Sequence, residues 1–374
     1  MRIAFVSLMK VFPWGGSEEL WYKTAKLAVE KGHKVYSLTQ YWSAPHPKII
    51  ELQQAGVNTM FYQSKAYSLI NRIAIKVGIK TRTVEIVPEL DADIYVISNG
   101  TLFDFVNHRG TIEGITEGNK PYIIINQHNY DNGNILPIAA RASTVKIIDK
   151  AKLFYFVSER NLLSAERQIS YKFTNAKLIN NPINIKNSCV KAFPENDKLL
   201  MACVARFDCN YKGQDILLEV LSALPWQSRS FSLNLYGAGP HLDYLKALVE
   251  FYGLANKVSI IGHVNNIDEI WENNQVLVLP SLSEGTPLSL IEAMLSGRAV
   301  VSTDVGGNAL YVINGETGYL AEVASVKCIS EALEKLWSNR SLLPNMGINA
   351  FNRAVEITDL HPDDTLLQAI VSCA

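Results

Sequence analysis

Short runs of branched apolar residues recur along the chain, at residues 2–7, 33–39, 93–98, 122–126 and 153–158, and again at 199–204, 233–236, 258–264, 276–279 and from 300 onward. Several are apolar on both faces, as in Tyr122-Ile-Ile-Ile-Asn126 and Val276-Leu-Val-Leu279, which predicts strands buried inside parallel sheets. Helical segments follow. Ser17 can cap a helix that stops at Lys31-Gly32, so the chain opens as a βαβ unit. An apolar helix is expected at 216–224. A third is predicted after residue 279, with Thr286 as N-cap, Pro287 at the first helical position, Gly297 as the stop, and a length of about ten residues.

At 374 residues the chain suits two domains of roughly 180 residues each. Hydrophobic residues make up 48% and charged residues 19%, an ordinary globular composition that excludes a disordered or fibrous chain. No apolar run approaches the roughly 18 residues of a membrane span, and the amino terminus reads as a strand rather than a signal peptide, so a cytoplasmic location is expected. The five cysteines are scattered and odd in number, which points to reduced thiols, and the dispersed histidines give no metal-site spacing. Charge is polarised: residues 1–184 hold 22 Lys plus Arg against 15 Asp plus Glu, the remainder 13 against 21, a polarity that can steer an anion to one lobe.

The candidate chemistry concentrates at strand-to-helix turns. Glu284 and Glu292 flank the helix start after residue 279, where the amides of Leu288 and Ser289 lack intrahelical partners and point with the helix dipole at an anion. Carboxylates accept from the paired hydroxyls of sugars, so a phosphate bracketed by these two residues describes a nucleotide-sugar. From spacing alone they are equally ordinary surface glutamates favoured by the dipole. Arg206 and Lys212 bracket another such turn, and two fixed cations beside a diphosphate would neutralise the charge that grows on a leaving nucleotide. Read singly they are a solvated basic pair. Gly15-Gly16, after the first strand, lacks the spacing of a dinucleotide fingerprint and by itself is a turn. His128 lies just beyond the strand 122–126, at a carboxyl end, where ligands bind in open α/β sheets.

The segment Pro280-Ser281-Leu-Ser-Glu284-Gly285-Thr286-Pro287-Leu288, with Glu292 eight residues after Glu284, resembles the signature of the retaining nucleotide-sugar glycosyltransferases of family four. The resemblance covers nearly the whole chain. It implies an α/β fold of the GT-B type, two Rossmann-like domains facing each other across a cleft. By that resemblance Glu284 contacts hydroxyls of the transferred sugar, Glu292 the ribose, and Arg206 with Lys212-Gly213 the diphosphate. Gly15 and Gly16 let the backbone approach the donor phosphate or the acceptor, and His128 contacts the transferred sugar. Gly237 and Val264 meet the nucleotide, as do Thr286, Pro287 and Leu288 at the helix start. Asn180-Asn-Pro-Ile-Asn184 resembles the turn before the family's interdomain hinge. Expected domains are therefore an acceptor domain at 1–184, a donor domain at 185–355 beginning in a polar linker, and a C-terminal helix within 356–374 packing back on the first. One departure stands out: relatives commonly read Gly-Gly-x-x-Glu where this chain reads Gly306-Gly307-Asn308-Ala309-Leu310.

The implied reaction moves a hexose-type sugar with retention from a UDP-, GDP- or ADP-sugar to a saccharide or lipid-linked acceptor, with no metal or other cofactor and no nucleic acid. Residues 64–84 hold Lys65, Arg72, Lys76, Lys80 and Arg82 without an acid, interleaved with apolar residues. Such a stretch either lies on an anionic bilayer, at the inner face of the plasma membrane, or is a helix packed on the sheet with a solvated basic face. Alternatives are a phosphorylase or epimerase of the same architecture, a two-lobed solute-binding protein, and a non-catalytic nucleotide-sugar sensor.

Overall fold

A computed structural model describes residues 1–9, 13–42, 44–66, 83–86, 90–129 and 135–374. The chain divides into two compact units, one of Met1–Pro182 with His361–Ala374, the other Ile183–Leu360.

Unit 1 is an eight-stranded sheet: β1 (Arg2–Ser7), β2 (Lys34–Gln40), β3 (Asn58–Ala66), β4 (Thr83–Ile86), β5 (Ile94–Asn99), β6 (Tyr122–Asn126), β7 (Leu153–Phe156) and β8 (Ala176–Leu178). Their order is β4-β3-β2-β1-β5-β6-β7-β8, and every pairing is parallel except β3 with β4. β1 is central, with Phe5 aligned to both Ser37 and Val96. Its residues are buried on both faces because helices cover both faces, as parallel crossovers require. The helix Glu19–Glu30 is preceded by a 3-10 turn, Gly16–Glu18, and no side chain caps either, so Ser17 is not the N-cap.

Unit 2 is a six-stranded, wholly parallel sheet: β9 (Leu199–Val204), β10 (Phe231–Tyr236), β11 (Val258–Gly262), β12 (Val276–Leu279), β13 (Ala299–Thr303) and β14 (Gly318–Ala321). The order β11-β10-β9-β12-β13-β14 reverses direction between β9 and β12, as in a Rossmann sheet. Two apolar layers sandwich it, one with Leu217, Leu235 and Leu333, the other with Trp271, Leu290 and Met294.

The polar segment after Ile183 is fastened to unit 2. Arg298, fully buried, donates to the carbonyls of Trp271 (2.8 Å), Lys191 (3.2 Å), Gly297 (3.2 Å) and Ala192 (2.6 Å). At the far end the helix Pro362–Cys373 returns to unit 1, where Leu366, Leu367 and Ile370 pack with Leu20, Trp21 and Ala28.

Among the described residues no helix is long and apolar enough to cross a membrane, and no His, Cys, Asp and Glu cluster could hold a metal. All five cysteines are free thiols. Of the basic stretch 64–84, residues 67–82 lie outside the described set.

Candidate functional site

Four turns at the carboxyl ends of neighbouring strands of unit 2 are laced together by their backbones. The Ala205 amide donates to Tyr236 (3.1 Å), Phe207 to Ala238 (3.0 Å) and His241 to Phe207 (3.0 Å), joining the turns after β9 and β10. Leu282 donates to Tyr211 (2.8 Å) and Gly307 to Gly285 (2.7 Å), adding those after β12 and β13. Glycine is required where they meet. Gly213 has φ +63°, and a Cβ there would lie 2.2 Å from the Pro280 carbonyl; Gly306 has φ +54°, with a Cβ 2.2 Å from the Gly285 carbonyl.

This lacing brings Lys212 and Glu284 together across 72 positions of sequence. Lys212 Nζ lies 2.6 Å from Glu284 Oε1, which also accepts from Ser281 Oγ at 2.7 Å. Glu284 is buried, and Lys212 is about one-fifth exposed. Arg206 is held at both ends: its guanidinium pairs with Asp208, and its carbonyl accepts from Gln214 Nε2 at 2.8 Å. The Asp208 carboxylate also lies 3.9 Å from Nδ1 of His241, which accepts from the Cys209 amide at 3.0 Å. Both expected clamp cations thus rest on carboxylates of their own unit, so Arg206, Asp208, Lys212 and Glu284 sum to no net charge. Asp208, Gln214 and His241 were not singled out from the sequence; Asp208, two residues beyond Arg206, was the legible one.

The helix Leu288–Leu295 begins one residue later than expected. Pro287, not Thr286, occupies the N-cap, with φ −69° and ψ 126°, and no side chain caps the helix. Pro287 keeps its fixed φ but takes an extended ψ, so the helix starts only at Leu288. The amides of Leu288 and Ser289 still lack intrahelical acceptors. Gly297 ends the helix at φ +73°, with the Arg298 amide donating to Ala293 (2.9 Å). Glu292, buried in this helix, accepts from the Asn184 amide at 2.9 Å, so the start of unit 2 is tied to a donor-site candidate. Gly237 (φ +143°) bonds to the Gly262 carbonyl at 2.8 Å. Val264, beyond the end of β11, packs on the Trp271 layer. Leu310 is half-exposed, and its carbonyl accepts from Arg353 (3.0 and 3.2 Å).

The other candidates belong to unit 1. Gly15 and Gly16 form the turn after β1, with the Glu18 amide on the Gly15 carbonyl at 3.0 Å. Glu18 is buried and accepts from Trp21 Nε1 at 2.9 Å; desolvation pushes its carboxyl up from 4.5 to about 7. His128 follows β6. Its amide donates to Gly100 (2.8 Å) and its carbonyl accepts from Asn126 Nδ2 (3.0 Å). Around it lie carboxamides, all but Asn181 buried, that sequence reading passed over: Asn99 bonds to Asn126 (3.0 Å), Asn181 to Gln127 (2.8 Å), and Asn161 to the Asn129 carbonyl (3.1 Å). Neutral amides at strand ends carry no spacing signature.

The model of the family described as glycosyl transferases group 1 matches residues 186–353. An uncharacterized glycosyltransferase of Haemophilus influenzae is 24% identical over 91% of this chain and 91% of its own length. The lipopolysaccharide glucosyltransferase WaaG of Escherichia coli is 24% identical over 90% of this chain and 89% of its own. Among solved structures, Anabaena HepE in complex with UDP superposes with a TM-score of 0.74 at 16% identity, covering all of both chains. Sucrose-phosphate synthase of Thermosynechococcus elongatus superposes with a TM-score of 0.73 at 17% identity, again over both whole chains. Residues 186–353, which hold the signature segment, thus match the group 1 glycosyl transferases, and the two α/β units share the GT-B fold of these solved structures.

Proposed function

We propose that this enzyme is a retaining glycosyltransferase that moves a hexose-type sugar from a nucleoside-diphosphate sugar to a hydroxyl of a saccharide or lipid-linked acceptor, in polysaccharide or glycolipid assembly. The observation that carries it is the Lys212–Glu284–Ser281 array beside the helix start at Leu288, with Arg206 anchored on the adjoining turn. In this reading the diphosphate lies over the Leu288 and Ser289 amides, drawing Lys212 and Arg206 from their internal carboxylates. Glu284 then takes sugar hydroxyls and Glu292 the ribose, with Gly237, Val264 and Thr286 beside the nucleotide. Unit 1 takes the acceptor, with Gly15, Gly16 and His128 at the carboxyl edge of its sheet.

The catalytic contribution is positioning and charge. As the glycosidic bond breaks, negative charge grows on the departing diphosphate, and Arg206, Lys212 and the helix amides neutralise it without a metal or other cofactor. Same-face substitution follows if the leaving phosphate oxygen accepts the acceptor's proton, so no carboxylate need act as nucleophile. HepE has been crystallised with UDP and with UDP-glucose, and WaaG is named for transfer of glucose to lipopolysaccharide, which supports the donor class and the assembly role. A cytoplasmic protein that touches the anionic inner face of the plasma membrane through residues 64–84 completes the reading; failure to co-sediment with anionic liposomes would remove that contact.

The test is thermal-shift screening against UDP, GDP and ADP and their sugars, followed by NMR of the product's anomeric centre. Stabilisation by one nucleotide series and an anomeric configuration matching the donor's are expected; an inverted product would refute retention. Leu310 favours a second reading, a non-catalytic nucleotide-sugar sensor, since an acid common in relatives is missing there. Detected transfer would exclude it.

A further inference from the structure

The turn after β10 presses so closely on the turn after β9 that a Cβ on Gly239 would lie 2.4 Å from the Phe207 carbonyl. His241 closes this turn and is the N-cap residue of the helix Leu242–Phe251, yet its side chain makes no capping bond to that helix. The half-buried imidazole instead reaches across to the turn after β9, where Nδ1 takes the Cys209 amide at 3.0 Å. A backbone N–H only donates, so the bond holds only while Nδ1 carries no proton. The other face of the ring meets Tyr244 edge-on, with centroids 6.2 Å apart and planes inclined by 80°.

Cys209 opens the single helical turn Cys209–Lys212, and its amide is among those that a helix start leaves without an internal partner. Asp208, at the N-cap, is of a type favoured for serving such amides. It does not cap. The buried Asp208 carboxylate pairs with the Arg206 guanidinium through one oxygen, and the other lies 3.9 Å from His241 Nδ1. The helix start is thus served from the neighbouring strand's turn, which leaves Asp208 to hold Arg206. At the far end of the same helical turn stands Lys212, 2.6 Å from Glu284. One imidazole therefore serves both cations: it anchors the turn that carries Lys212, and it leaves Arg206 its carboxylate.

We propose that His241 is a positioning residue for transfer, holding Arg206 and Lys212 where a departing diphosphate develops its charge. The inference rests on the transferase reading and deepens it: the clamp is set by a side chain outside the turn that carries it. Without the Nδ1 acceptor the Cys209 amide is left unpaired, and the Asp208 carboxylate is drawn toward the helix start. Arg206 then loses its support and must be ordered by the ligand itself. The cost falls unevenly along the reaction. A nucleotide-sugar carries less negative charge than the nucleoside diphosphate released from it, so the clamp matters least for donor binding and most for bond cleavage and for the free diphosphate.

The test uses the full chain and two polar substitutions. In His241→Asn the side-chain oxygen falls near the place of Nδ1 and keeps the Cys209 bond; in His241→Gln it falls near the place of Nε2 and loses it. With the nucleotide-sugar that the wild-type chain turns over, kcat should drop about tenfold in His241→Gln, while the donor KM moves by less than about threefold. Isothermal titration with the matching nucleoside diphosphate should give a Kd about tenfold higher, whereas the parent nucleoside, which has no phosphate, binds as it does to the wild type. His241→Asn should recover most of both losses. His241→Ala, which also lacks the acceptor, should behave as His241→Gln and stands in for it if that variant misfolds by circular dichroism.

Wild-type kcat and diphosphate affinity in the folded Gln and Ala variants, a loss in His241→Asn equal to theirs, or equal weakening of nucleoside and diphosphate would overturn the proposal. The two readings separate. A wild-type chain that binds none of UDP, GDP and ADP and transfers no sugar removes both, whereas wild-type transfer with unimpaired His241 variants removes this role alone.

Discussion

Neutralising Glu284 should tighten nucleotide binding while slowing transfer. Lys212 rests on the Glu284 carboxylate at 2.6 Å, so an incoming diphosphate meets an ion pair, and it also meets the carboxylate's own repulsion. With a phosphate about 5 Å from Glu284 and an effective dielectric of about 20, that repulsion is about 3 kcal/mol. Lys212 is about one-fifth exposed, and solvent and salt screen the site, so about half of that, ~1.4 kcal/mol, is the expected net effect. This corresponds to about tenfold in affinity. Glu284→Gln keeps an oxygen for Ser281 Oγ and Lys212 Nζ while removing the charge. Isothermal titration with the nucleoside diphosphate that binds the wild-type enzyme should give a roughly tenfold lower Kd, with a steeper salt dependence as Lys212 becomes available. Transfer from the nucleotide-sugar should fall by about a hundredfold, as for loss of a group that acts on the transferred sugar. Nucleotide affinity unchanged or weakened, in a variant of wild-type circular dichroism, would refute the picture of a self-paired clamp.

The remaining predictions concern charge, stability and packing. Arg206→Ala or Lys212→Ala should each lower turnover by about a hundredfold; full activity in both would dispose of the clamp. The Glu18 carboxyl keeps its proton to about pH 7 when folded and releases it near 4.5 when unfolded, so stability falls as pH rises between those values and levels off above. The difference is up to about 3 kcal/mol, and Glu18→Gln should abolish it in urea unfolding at pH 5 and pH 8; an unchanged pH slope would count against the assignment. Arg298→Met strips four carbonyls of their donor and should cost about 3 kcal/mol or more in unit 2, and a loss under 1 kcal/mol would contradict it. Gly213→Ala places a methyl 2.2 Å from the Pro280 carbonyl at a positive φ, so the turn carrying Lys212 must shift. Turnover should drop more than tenfold with far-ultraviolet circular dichroism intact; wild-type turnover would show that Lys212 need not be held there.

Local sequence carried the elements whose signal is short-range. The strands Tyr122–Asn126 and Val276–Leu279 are visible because burial on both faces forces unbroken apolar runs, and Gly297 is visible because only glycine readily takes the left-handed stop it occupies. The motif around Glu284 and Glu292 likewise carried its resemblance to a family whose model matches residues 186–353. What the sequence left open was who pairs with whom. Lys212 and Glu284 meet only because β9 and β12 lie side by side at the reversal of strand order, and Arg206 meets Asp208 only because the turn between them folds back. The bond from Asn184 to Glu292, the carboxamides behind His128 and the bond from Cys209 to His241 are equally products of tertiary packing. A strand announces itself through its own residues, whereas a site is a set of distances between residues far apart in sequence, which only the folded sheets bring within reach.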